Sequence, residues 1–99
     1  MLPIEQGDIL SIEKIKGPVL IVSKNFFNAA EVAIVCPVVK STIPDPLHIK
    51  IAAKNVDGFV LCEQMKLLDL KVRGFKKLDR INYHDIINIT DAIQSIFDY

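Results

Sequence analysis

"GPVLIVSKNFFNAAEVAIVCPVV", residues 17 to 39, holds two short apolar runs rich in Val and Ile on either side of a polar break. β-Branched side chains are stiff at χ1 and pack well on a pleated surface, so both runs favour extended backbone. The first is expected as a buried strand over about 18 to 24, opened by Gly17-Pro18. "NFFNAAE" reads as a turn or a single helical turn. "VAIVCPVV" is the next strand, and Pro37, which has no N–H to donate, marks a bulge or the strand's end.

The reading extends outward from this pair. Upstream, "GDILSI" alternates apolar and polar residues and predicts a strand over 8 to 13. Downstream, "STIPDPL" is a loop with two prolines, and "LHIKIAA" alternates as a strand with one wet face. Asp57-Gly58 is a hairpin-turn signal, with "FVLCEQ" as the returning strand. "MKLLDLKVRGF" fits neither a period of 2 nor one of 3.6; a strand ending near Asp69 and then an extended connection are expected. From Asn82 the period changes. Asn82 can cap a helix, with Asp85 three residues on, and Ile86, Ile89, Ile93, Ile96 and Phe97 make one apolar face to about Asp98. Several short antiparallel strands closed by one amphipathic helix predict a mainly β fold, a small barrel or sandwich with a helix on top.

The 99 residues are expected to form one domain, 1–99, with no internal boundary. The chain is 51% hydrophobic, and 12 Lys and Arg balance 12 Asp and Glu. That balance excludes a disordered chain and a strongly basic nucleic-acid binder. Charge is uneven locally: residues 66 to 80 carry Lys66, Lys71, Arg73, Lys76, Lys77 and Arg80 against Asp69 and Asp79, a net +4. The start, "MLPIEQGDIL", has neither the basic residues nor the apolar core of a signal peptide. No apolar run reaches the roughly 18 residues of a membrane span. Cys36 and Cys62 have no metal-ligand spacing and read as reduced core or near-core thiols of a cytoplasmic protein, a disulfide between them being the lesser alternative. No metal or cofactor is expected.

Four pieces in order, "QGDIL", "GPVLIVSKNFFN", "VAIVCPVV" and "CEQMKLLDLKVRG", resemble the MazF/PemK/Kid toxins of bacterial toxin–antitoxin systems over almost the whole chain. The resemblance implies an SH3-like antiparallel β-barrel with a C-terminal α-helix, a homodimer, and a growth inhibitor that cuts mRNA without a metal. It also implies an antitoxin peptide as partner and single-stranded RNA as ligand. Glu63 and Gln64 match the family's acidic-Gln pair at the end of a strand beside the RNA. Asp69 matches the acidic residue that follows, and Arg73 the Arg before Gly.

The sequence departs from the family at four places. Gly17 stands where an Arg usually precedes the Pro, and Val38 or Val39 where a hydroxyl follows the third strand. Only "LSIEKIK" replaces a long loop, and Leu61 stands where some members have Arg. Metal-free RNA cleavage needs a base for the 2′-OH, an acid for the leaving 5′ oxygen, and donors for the charged phosphorane. Loss of one such donor commonly costs about 100- to 1,000-fold in rate. Lys16 is the candidate replacement for the Arg, and Thr42 or Ser41 for the hydroxyl. Glu63 is the candidate base, and His48 an acid or base. Gln64, Lys66 and Arg73 are the candidate RNA-binding residues.

Each has a plainer reading. Glu63 can simply bond a neighbouring strand or Arg73, and the 66–80 cations can be a solvated face. His48 shares Lys50's face of an alternating strand and is expected to be exposed; His84, in the first helical turn, is expected at the surface. Phe26-Phe27 reads as core or interface rather than a stacking platform. The alternative function is a non-catalytic binding module of the same fold for a protein or RNA; a purely structural dimerisation domain is the third.

Overall fold

Ile9 and Leu10 are adjacent and both buried, as are Val19, Leu20 and Ile21. Neighbours on a strand point to opposite faces, so such runs need a sheet covered on both sides. The computed structural model, which describes residues 4–97, has that arrangement. Its strands are β1 (Asp8–Ile12), β2 (Val19–Ile21), β3 (Val32–Val39), β4 (His48–Ala52), β5 (Asp57–Leu61), β6 (Lys66–Asp69) and β7 (Phe75–Arg80). The helices are the single-turn α1 (Asn25–Asn28) and α2 (Tyr83–Gln94). The strand order is β4-β5-β3-β2-β1-β7, with β6 also on β3, and all pairings are antiparallel. The expected mainly β architecture with a C-terminal helix forms, the sheet curling into a half-barrel.

Two apolar layers result. Leu10, Ile12, Val19, Ile21, Ala33, Val35, Leu68 and Leu70 fill one. Ile9, Leu20, Cys36, Val38, Ile51, Val60 and Cys62 fill the other, where Ile81 and Ile89 close it and Ile86 and Ile93 of α2 pack against it. Burying one such Ile or Leu contributes about 1.5–3 kcal/mol. Asn82 caps α2 as its sequence predicts, its Oδ1 accepting from the Asp85 N–H at 2.8 Å.

Five expectations need correction. First, residues 75–80 are not an extended connection. Phe75–Arg80 is a full strand paired along β1, from Asp8↔Arg80 to Ile12↔Phe75. "FKKLDR" hid it because it is an edge strand, where charge is favoured and alternation is weak. Second, the β4–β5 turn is not Asp57-Gly58. Ala52 pairs with Asp57, and Ala53 N–H donates to the Val56 carbonyl, so the turn is 53–56. Asp79 of β7 holds that turn, its Oδ2 accepting from Val56 N at 2.9 Å and from Asn55 N. Gly58 serves a different need, since a Cβ there would run into the Val39 carbonyl oxygen. Third, β2 stops at Ile21. The Ser23 hydroxyl donates to Asn28 Oδ1 and accepts from Ile34 N–H, which draws the chain into the α1 turn. Fourth, α2 ends at Gln94; Ile96 and Phe97 lie beyond it and are exposed, and Asp98 is outside the described residues. Fifth, β3 runs through Pro37 and changes neighbour there, from β6 at Val32–Val35 to β5 at Val38–Val39.

Among the described residues no helix is long and apolar enough to cross a membrane. Cys36 and Cys62 are free and buried. Burial pushes the Cys36 thiol up to about 12 and Cys62 to about 11, so both stay protonated near neutral pH.

Candidate functional site

The change of neighbour at Pro37 opens a groove. On the side where β6 gives way to β5, Cys36 and Pro37 have no strand partner, and Pro37 has no N–H to offer one. The space beside them is a groove of about 350 Å³. Its floor is apolar, from Val19, Val35, Pro37 and Leu68, with Ile15 at one side. Its rim is polar and exposed: Lys14 and Lys16 from the β1–β2 turn, Gln64, and Lys66 at the start of β6. Three of the sequence candidates, Lys16, Gln64 and Lys66, therefore converge on one groove. Lys14 joins them and was not singled out in the sequence. Its signal was the Lys-x-Lys spacing in the turn, where Lys14 takes a left-handed φ of 67° that aims the tight reversal.

Glu63 and Thr42 meet elsewhere, around His48. Glu63 sits in the turn between β5 and β6, one residue before Gln64. Its Oε2 is 3.1 Å from His48 Nε2. His48 Nδ1 is 2.8 Å from the Ile43 carbonyl oxygen and 3.2 Å from Thr42 Oγ1. The His48 side chain is only 10% exposed and that of Glu63 36%, so the expectation of an exposed His48 is corrected. The loop before β4 folds back over the ring and covers it. The nearest group at each ring nitrogen only accepts, the Ile43 carbonyl at Nδ1 and the Glu63 carboxylate at Nε2, which favours the doubly protonated imidazolium; the Thr42 hydroxyl at Nδ1 can turn either way. The His48 pKa is accordingly raised, first by the Ile43 carbonyl and then by Glu63, with Asp45 adding to it. That of Glu63 is lowered, first by His48.

The other cations divide. Arg80 and Lys77 are turned to Asp8, at 2.8 and 3.3 Å, so their charge is used inside the fold. Arg73 lies in a separate shallow depression with Glu13, Lys14 and Val72; Lys14 is common to both hollows. Asp69 accepts from the Lys71 N–H of its own turn. Gly17 has no neighbouring heavy atom within 4 Å of where a Cβ would stand, while Val38 is buried in the second apolar layer. Ser41, Phe26 and His84 are exposed. Among the described residues no three His, Cys, Asp or Glu side chains converge as metal ligands would.

Taken together, the geometry offers a cation-rimmed groove with an apolar floor, suited to a phosphate backbone and the faces of bases. Next along the chain stands the Glu63 carboxylate, held by the His48 imidazole at 3.1 Å. Comparison with known proteins bears on what this arrangement serves. A model of the family described as PemK-like, MazF-like toxin of type II toxin-antitoxin system matches residues 5–97. No protein of curated function matches the sequence. The fold is similar to that of the crystal structure of MazE-MazF (Form-I) from Deinococcus radiodurans, with a TM-score of 0.87, 19% identity, and 98% of each chain covered. MazF (Form-I) from the same organism gives 0.84 at 18% identity, again over 98% of each chain. An endoribonuclease in complex with its cognate antitoxin, from Mycobacterial species, gives 0.81 at 17% identity, over 95% of this chain and 94% of that one.

Proposed function

The chain belongs to the PemK-like, MazF-like toxin family of type II toxin-antitoxin systems, and from that premise we propose that it is a growth-inhibiting toxin that cleaves single-stranded RNA, mRNA in particular, without a metal. The observation that carries this reading is the convergence of Lys14, Lys16, Gln64 and Lys66 on one groove, with Glu63 adjacent in the chain. Three ammonium groups neutralise successive phosphates, and the apolar floor receives base faces. Gln64 can donate and accept at a base edge. In this reading Glu63 takes the proton of a 2′-OH, whose oxygen attacks the adjacent phosphorus. Lys16 balances the added charge of the phosphorane. The P–O5′ bond breaks, water protonates the leaving oxygen, and a 2′,3′-cyclic phosphate and a 5′-OH remain. Thr42 acts through its contact near His48, while Arg73, across Lys14, extends the cationic track. The toxin works in the cytoplasm as a homodimer, and an antitoxin peptide blocks it; the antitoxin-bound state of two similar structures supports that partner.

One observation favours a second reading, a binding module of the same fold that holds RNA or a protein without cutting. Gly17 presents no side chain and Val38 is buried without a hydroxyl. The test separates the two. Purified protein is incubated with single-stranded RNA in EDTA, and growth is followed after induction in cells with primer extension on their RNA. Discrete new 5′ ends with growth arrest are the expected result. RNA retained but uncut would establish the second reading, and folded protein that neither binds nor cuts would overturn both.

A further inference from the structure

We propose that His48 is the positioning residue of the site: it holds the Glu63 carboxylate in place for RNA cleavage, and the site works as built only while the imidazole is charged. This rests on the proposed RNA-cleaving function. The geometry carries the inference. His48 begins β4 and stands between two segments distant in sequence, the 42–43 loop on its Nδ1 side and the 62–65 turn on its Nε2 side. Glu63 lies in the short turn joining two strands, and His48 is the side chain that fixes its Oε2.

A neutral ring cannot donate to both the Ile43 carbonyl and the Glu63 carboxylate. If the proton stays on Nδ1, toward Ile43, the Nε2 lone pair faces the carboxylate. If it stays on Nε2, toward Glu63, the Nδ1 lone pair faces the carbonyl. Without a proton on Nε2 the carboxylate is released; without one on Nδ1 the ring can still accept from the Thr42 hydroxyl, but it gives up the Ile43 carbonyl and its bond to Glu63 is no longer charge-assisted. Of the groups that face the ring, the acidic ones and the carbonyl favour the charged form, and the Thr42 hydroxyl accommodates either. Glu63 and Asp45 are acidic, the Ile43 carbonyl and Thr42 hydroxyl are polar, and Lys50 on the same strand lies over the Phe59 ring, 5.8 Å from its centroid. His48 is itself too covered to be placed against a substrate, so it acts through Glu63.

The experiment measures kcat/KM on single-stranded RNA against pH for the wild type and for His48→Gln, with RNA affinity measured in parallel. In the wild type the rate should fall on the alkaline side, and the midpoint of that fall should match the His48 midpoint read by NMR on the same protein. In His48→Gln the alkaline fall should vanish and the rate should drop about 10- to 100-fold, with affinity nearly unchanged. A wild-type fall that does not match the NMR midpoint, or a His48→Gln profile of the same shape, would overturn the inference and leave the proposed function standing. A wild type that binds RNA but cuts none would overturn both. The NMR comparison needs no variant, so it holds even if His48→Gln folds poorly.

Discussion

Arg80 Nη1 donates to Oδ1 of Asp8 at 2.8 Å, joining residues 72 apart, and Asp8 has no exposed surface. Lys77 reaches the same oxygen at 3.3 Å, and the Glu5 N–H donates to the other oxygen at 2.8 Å. This buried carboxylate adds a side-chain anchor to the backbone ladder between the charged edge strand β7 and β1. Arg80→Ala would leave Asp8 with fewer donors but not alone, and Arg80 is itself partly exposed. The expected loss is about 1.5–2 kcal/mol, read as a lower urea midpoint with unchanged slope.

Glu31, just after α1, has a φ of 63°, a conformation that costs a residue with a Cβ about 1–2 kcal/mol. Its backbone bonds, from its N–H to the Asn28 carbonyl and from the Leu70 N–H to its own carbonyl, do not depend on the side chain. Glu31→Gly should therefore raise stability by about 0.5–1 kcal/mol, because glycine relieves the strain but loses more entropy on folding. Thermal unfolding should show a melting point a few degrees higher, about 4 °C.

At Gly58 the outcome reverses. Its φ is 147°, and an added Cβ would meet the backbone of Val39 rather than a side chain that could swing away. Gly58→Ala should cost about 2 kcal/mol or more, and hydrogen exchange should report loosened β3–β5 pairing first.

The His48–Glu63 pair sets a pH window. His48 has its pKa raised in the fold above the ordinary 6.5, so its stabilisation is fully present below that value and is lost as pH rises through the raised value. Glu63 has its pKa lowered below the ordinary 4.5, so its share is present above that value and is lost as pH falls through the lowered one. Wild type minus His48→Gln should thus give a melting-temperature difference that is largest between the two and shrinks on both sides. A difference flat with pH would remove the ion pair from the account.

Under the proposed function, Lys16→Ala and Lys66→Ala should each weaken binding of single-stranded RNA about equally across sequences. Each should also flatten the slope of log affinity against log salt by about 0.7, the share of a single neutralised phosphate. Arg73→Ala, in the second depression, should have the smaller effect. Gln64→Ala should leave the salt slope unchanged. Fluorescence anisotropy at several salt concentrations checks all four.

Much of this was readable in the chain. Asn82 and Asp85, three apart, announce the helix start, because a cap is a local hydrogen bond within one turn. The consecutive apolar residues of 19–22 and 32–36 announce strands, and "CEQMKLLDLKVRG" carries the family resemblance that the match over residues 5–97 bears out. Lys16, Gln64 and Lys66 could be picked out by residue type and position. What could not be read was their separation from Thr42, which sits against His48 instead.

The reason lies in the range of the forces involved. Side-chain stiffness, caps and apolar runs act within a few residues, so the sequence by itself determined the strands of the core, the start of α2 and the mainly β class. The edge strand β7, the true β4–β5 turn and the covered His48 depend on partners far along the chain: Asp8 for Arg80, Asp79 for the 53–56 turn, and Glu63 for His48. Each is a charged or polar interaction whose strength comes from a partner and a burial that exist only once the sheet has curled. Those the tertiary structure alone decided.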